Sequence, residues 1–172
     1  MLKKLEKDYF PLSLNNKWYY LIDRDTIKVE VISEEEILGK NAKVIEIGFD
    51  KYYICEEDKE IYFLLWDRCN INGDYYDIVK SWIKLCPLPL CDGAVWSDSV
   101  KGITTLLGDT ISYDYKLKGR CDFVGKFYQY SNCYKLTIIL NDDSSFVWLS
   151  PNIGAVKFII EKDTFSLLKY EF

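Results

Sequence analysis

The chain has 172 residues, 49% hydrophobic and 28% charged, which excludes a disordered or fibrous protein and fits a single domain over residues 1–172. Acidic residues outnumber basic ones by 27 to 22, so the net charge is −5, and no basic footprint for nucleic acid is expected. There is no His, which removes the Ser-His-Asp and Cys-His nucleophile systems, His-ligated zinc and His general bases together.

Strand signals dominate from the start. Residues 18–24 form the first candidate, followed by 27–31, where apolar and polar residues alternate with period two. Residues 42–49, 52–55 and 61–65 continue the series, rich in Ile, Val, Tyr and Phe, which suit a pleated, half-buried surface. Residues 75–85 read two ways. Tyr75, Ile78, Val79, Trp82 and Leu85 fit a helical stripe, yet Tyr75, Val79, Ile83 and Leu85 also suit a strand, and the prolines at 87 and 89 favour extended backbone. The cleanest alternation is 111–118, with Ile111, Tyr113, Tyr115 and Leu117 on one face. Residues 134–140, 146–149, 155–160 and 165–170 complete the set. Turns are expected at Gly39-Lys40-Asn41, at residues 56–59, at 141–144 and at 161–164.

The two halves of the chain echo each other, about residues 9–65 and 87–160. Pro11-Leu12-Ser13-Leu14 and Pro87-Leu88-Pro89-Leu90 each precede a polar turn and a Trp, Trp18 or Trp96. Each half then runs through a period-two strand, a Gly-Lys turn (Gly39-Lys40 or Gly125-Lys126), an apolar strand, an aromatic strand and a closing strand. Neither half has enough apolar face to stand alone, so the two are expected to share one core.

Several of these elements also carry a family resemblance. Tyr9-Phe10-Pro11-Leu12 with Trp18, Gly125-Lys126-Phe127, Cys133-Tyr134-Lys135 and Trp148-Leu149-Ser150-Pro151-Asn152-Ile153-Gly154-Ala155-Val156-Lys157 occur in that order. The pattern resembles a family of poorly characterised, lipoprotein-like bacterial β domains, across about residues 9–160. Two departures stand out: Asn15-Asn16-Lys17 where the family has Gly before the first Trp, and Asn152 where it has Gly after the Pro. Asn tolerates positive φ, so both turns can survive. The resemblance implies a curved antiparallel sheet similar to lipoprotein carriers and lipid-binding proteins, and it implies no catalytic residues.

Chemistry-bearing patterns are sparse. The acidic runs Glu34-Glu35-Glu36 and Asp142-Asp143 are read as solvated turns. Residues 67–74 match a calcium loop only loosely. The six Cys, at 55, 69, 86, 91, 121 and 133, contain no Cys-x-x-Cys pair. They are read as free thiols first, then as disulfides (Cys86–Cys91 and Cys121–Cys133 being nearest in sequence), then as a thiolate metal site. No segment suggests a signal peptide or a membrane span, so the chain as given is expected in the cytoplasm, or outside it if a leader has been removed.

The informative excess is aromatic, at 16%. Adjacent rings such as Tyr19-Tyr20 and Tyr52-Tyr53 must face opposite sides of a strand, so one ring of each pair is free for something other than the core. The resulting expectation is an all-β protein: a strongly curved antiparallel sheet or half-barrel of two pseudo-repeated halves, with little helix. Its concave face would bind a hydrophobic small molecule or a partner protein's segment through Tyr20, Tyr53, Tyr113, Tyr115 and Trp148. The expectation includes no catalytic residue, no metal and no cofactor, with self-association as a further expected mode. The alternative is a structural or assembly protein acting through a sheet edge or an aromatic patch. An interior cavity of a few hundred Å³ would favour the first, a filled core with an exposed patch the second.

Overall fold

Short alternating segments joined by tight polar turns make a chain double back repeatedly, and this one does so along its whole course. The computed structural model describes residues 8–172, and these contain twelve strands and no helix. The first six are β1 (Lys17–Ile22), β2 (Asp25–Ile37), β3 (Lys40–Ile47), β4 (Asp50–Glu57), β5 (Glu60–Ile71) and β6 (Asp74–Pro87). The second six are β7 (Val95–Leu106), β8 (Asp109–Phe127), β9 (Tyr130–Leu140), β10 (Asp143–Ser150), β11 (Gly154–Ile160) and β12 (Asp163–Glu171). Residues 75–85 are therefore strand, within β6.

One antiparallel sheet holds all twelve, in the order β6-β5-β4-β3-β2-β1-β12-β11-β10-β9-β8-β7. Every strand pairs with its neighbours in sequence except β6 with β7, and β1 closes the ring by pairing with β12, Trp18 opposite Tyr170. The result is a nearly closed barrel with one unpaired seam. At that seam β6 leads into Pro87-Leu88-Pro89, whose prolines have no N–H to give, and Leu88 N–H donates instead to the Lys59 carbonyl at 2.7 Å. The seam is bridged by a side chain: Lys84 N–H donates to Asp98 Oδ2 at 2.7 Å.

Period-two alternation fills the inside. One cluster joins Ile61, Leu65, Val79 and Ile83 of β5 and β6 to Leu117, Cys121, Leu136 and Leu149 of β8, β9 and β10. A second gathers Trp18, Tyr20, Val29, Val31, Ile45 and Phe158. Ile54, Val147 and Ala155 pack against both, so the interior is continuous. Each fully buried Ile or Leu in it stabilises the fold by roughly 1.5–3 kcal/mol. Tyr9 enters this core from the segment preceding β1, its hydroxyl donating to the Asn132 carbonyl at 3.0 Å.

Asn carries the positive φ of two turns, one before Trp18 and one after Pro151. Asn15 and Asn152 both adopt positive φ, 67° and 61°. Trp18 Nε1 donates to the Ile153 carbonyl at 2.6 Å, and a Cβ on Gly154 would fall 3.2 Å from Pro11 Cδ. The opening Pro-Leu segment and the β10–β11 turn are thus packed as one unit.

Three expectations need correcting. Gly125-Lys126 is no turn but a bulge inside β8, where the register slips on both sides of Gly125 and the chain reverses later, at Tyr128-Gln129. Glu34-Glu35-Glu36 lies in β2, opposite Lys43, Ala42 and Asn41, and Asp143 opens β10, so of these acidic residues only Asp142 sits in a turn. A slip between Val31 and Ser33 lets that tail continue towards β6, where Trp82 Nε1 donates to the Ile37 carbonyl at 3.1 Å. Residues 67–74, the loose match to a calcium loop, form a β-hairpin around Asn72-Gly73, both at positive φ. The third is β7, a strand that the series passes over.

Candidate functional site

Alternation decides which rings are available. Tyr20 points inward and is 2% exposed; its hydroxyl donates to the Ala155 carbonyl at 2.6 Å and its ring meets Phe158 edge-on at 4.9 Å. Burial drives its phenol far above the ordinary range. Tyr113 and Tyr115 also pack against the core, with centroids 6.4 Å apart. Tyr115 donates to Asp67 Oδ2 at 2.6 Å, and this bond, helped by burial, pushes its phenol up to about 12. These three rings build the interior.

Tyr53 and Trp148 point the other way, because Ile54 and Val147 beside them face the core. Trp148 stacks on Phe127 at 5.3 Å with an interplanar angle of 18°, and Lys135 lies 4.5 Å from the Phe146 ring and 5.3 Å from the Trp148 ring. Tyr53 belongs to a different place on the sheet, 5.8 Å from Trp66. The five expected binding residues therefore do not form one concave surface. A strand presents its two faces to two environments, and the pairs were divided between them.

Where Tyr53 sits, the sheet itself opens. β4 and β5 pair only from Ile54↔Phe63 to Glu57↔Glu60. Beyond that point β5 continues with β6 to Ile71↔Asp74, while Asp50 to Tyr53 remain with β3. The strands fork, and the fork holds a cleft of about 170 Å³ lined by Lys51, Tyr52, Tyr53, Phe63, Trp66 and Arg68, among others. Tyr52 and Phe63 lie 6.2 Å apart across it.

Trp66 anchors the fork. Its Nε1 donates to Asp77 Oδ1 at 2.6 Å, which fixes the ring. Lys80 Nζ stands 3.7 Å and the Arg68 guanidinium 4.9 Å from its centroid, and Arg68 also reaches the Tyr75 ring at 5.5 Å. Burial, then Glu35, pushes the Tyr53 phenol up, against the pull of Arg68. The fork thus offers aromatic faces, cationic heads and strand backbone that has left its neighbour. Sequence reasoning stopped the strand at Leu65 and missed Trp66, Arg68 and Lys80. The available signal was an alternation of Leu64, Trp66 and Arg68 on one face, hidden by the charges that follow the apolar run.

A second groove, about 470 Å³ between Asp114, Lys116 and Lys118 of β8 and the Asn141-Asp142 turn, is lined by polar side chains. Among the described residues no group of three or more Cys, Asp or Glu is placed to hold a metal, and no helix is long and apolar enough to cross a membrane. The carboxylates that shift all shift down: Glu34 is held by Lys43, Glu60 by Tyr62 and Lys84, Glu30 by Lys28 and Glu171 by Lys169. Comparison with family models, with curated proteins and with solved structures finds no match, so the likeness to lipoprotein-like β domains rests on the sequence motifs alone.

Proposed function

We propose that this chain is a non-catalytic binding protein, and that it takes an extended segment of a partner protein at the β4–β5 fork. The observation that carries this is the fork itself, where aromatic rings, cations and backbone released from strand pairing meet in a concave site. A filled interior favours a segment held at the surface over a small apolar molecule held inside. Lys51 and Arg68 suit a segment with a carboxylate near an apolar or aromatic side chain. The ionised, lysine-paired carboxylates suit binding better than acid catalysis, which needs a carboxyl raised towards neutral pH.

The assembly reading keeps one specific support. β7 pairs only with β8, and Val95 and Ile103 on it are 71% and 70% exposed, so an unpaired edge carries apolar side chains. The two six-strand halves also read as copies of one unit, since each is entered through a Pro-Leu segment and the sheet order runs β6 to β1 and then β12 to β7.

A peptide-display selection against the full chain tests the fork. Selected peptides are expected to shift the amide resonances of residues 51–53 and 64–68 and to lose at least about tenfold in affinity on Trp66→Ala, as removal of a central aromatic does at interfaces. Peptides that shift β7 instead support the assembly reading. Peptides that bind the Trp66→Ala protein unchanged refute the fork.

A further inference from the structure

Three thiols converge where the β6–β7 connection passes over β8. Cys86 near the end of β6 and Cys121 in β8 belong to the same core cluster, 0% and 1% exposed. Cys91 is exposed and opens a tight turn closed by Ala94 N–H donating to the Cys91 carbonyl at 3.1 Å. That turn is fastened to Cys121 on both sides. Gly93 N–H donates to the Cys121 carbonyl at 2.8 Å, and Cys121 N–H donates to the Ala94 carbonyl at 2.9 Å.

These bonds hold the turn that Cys91 opens against the backbone of Cys121. Cys91 Sγ points elsewhere, 3.4 Å from the Pro89 carbonyl oxygen. A change of χ1 rotamer turns it away from Pro89, while the turn that carries it stays fastened to Cys121 by two backbone hydrogen bonds.

We infer that Cys91 and Cys121 form a disulfide on oxidation, which staples the β6–β7 connection to β8 across the seam. A low-molecular-weight disulfide such as oxidised glutathione serves as oxidant. The Cys91 thiolate attacks one of its sulfurs, breaks the S–S bond and releases one glutathione thiolate. The Cys121 thiolate then attacks the Cys91 sulfur and releases the second. Two protein thiols give up two electrons and two protons, and the small disulfide leaves as two thiols.

Exposure sets the order, since Cys91 meets solvent and Cys121 does not. Burial, with Asp122 and Asp92 nearby, pushes the Cys121 thiol up to about 12, so the second attack is slow at neutral pH and quickens as pH rises. The same environment makes Cys121 a poor leaving group, so the bridge resists reduction once made. Closing the loop from 91 to 121 raises the melting temperature by about 5–10 °C.

The test incubates the full chain with oxidised glutathione at about pH 8, quenches in acid, unfolds, alkylates and maps the peptides. The expected result is two fewer alkylated cysteines, no retained glutathione and a cross-link between the peptides carrying Cys91 and Cys121. Cys91→Ser, a change at an exposed position, abolishes the bridge and the rise in melting temperature, and Cys86→Ser leaves both. The inference is overturned if glutathione stays on Cys91 unresolved, if Cys121 pairs with Cys86 or another cysteine, or if every thiol remains open to alkylation.

Discussion

Trp96 and Gly119 face each other across β7 and β8, and a Cβ built on Gly119 would lie 2.1, 2.2 and 2.4 Å from Cε2, Cζ2 and Nε1 of the indole. The ring packs on the main core cluster, so it has little room to retreat. Gly119→Ala therefore overpacks the site, at a cost of about 1–3 kcal/mol. For a chain of this length each kcal/mol lowers the melting temperature by about 2–4 °C, so a fall of about 2–12 °C is expected. Trp96 Nε1 adds a second handle, because among the described residues it is the one buried side-chain polar atom without a hydrogen-bond partner. An orphaned donor costs about 1–3 kcal/mol, which offsets much of what the ring contributes by burial. Trp96→Phe removes the orphan along with some apolar area, and its net effect should stay within about 1 kcal/mol of the parent. In that background Gly119→Ala should cost at least about 1 kcal/mol less, since the atoms nearest the new methyl group, Cε2, Cζ2 and Nε1, belong to the fused indole that Phe lacks. Urea unfolding of the four proteins, followed by far-ultraviolet circular dichroism, measures the cycle. Equal costs in both backgrounds, or no cost at all, would refute the packing of β7 on β8 and with it the course of the strand that borders the seam.

The other expectations concern the core, the seam and pH. Tyr20→Phe leaves the Ala155 carbonyl without its donor and should destabilise by about 1–2 kcal/mol; an unchanged urea midpoint would show that the bond contributes nothing. Asp98→Ala frees the Lys84 amide, whose hydrogen exchange should speed up by about tenfold while amides in β9 hold their rates; unaltered exchange would mean another group covers that edge. Tyr115, bonded to Asp67, and Tyr62, bonded to Glu60, each titrate at about 12 in the fold. A phenol raised above its unfolded value of about 10 stabilises the fold fully below pH 10 and loses that contribution as pH climbs towards 12. Stability should fall across that window, and less steeply in Tyr115→Phe; parallel pH profiles would refute the role of the Asp67 bond.

The all-β character of this chain is written locally. Alternation at residues 27–31 and 111–118, β-branched and aromatic runs, and turn residues such as Asn72-Gly73 and Asn141-Asp142 act over a few residues, and neighbours in sequence decide them. β7 escaped because it borders the seam. Its inward side is only half-buried and carries Asp98, Gly102 and Thr104 among the apolar residues, so its regular alternation in burial has no matching alternation in polarity. Bulges escaped for a related reason: a slip at Val31–Ser33 or around Gly125 depends on the partner strand, which no local pattern names. Period two states that Tyr52 and Tyr53 face opposite sides, but which side is inside depends on where the sheet curls. That curl follows from β1 meeting β12, a contact between the two ends of the chain. The same long-range closure decided that Tyr20, Tyr113 and Tyr115 fill the core, and that β4 leaves β5 at Ile54 to open the cleft beside Trp66. Strand formation is a matter of near neighbours, while the choice of face and the point where pairing ends belong to the closed sheet as a whole.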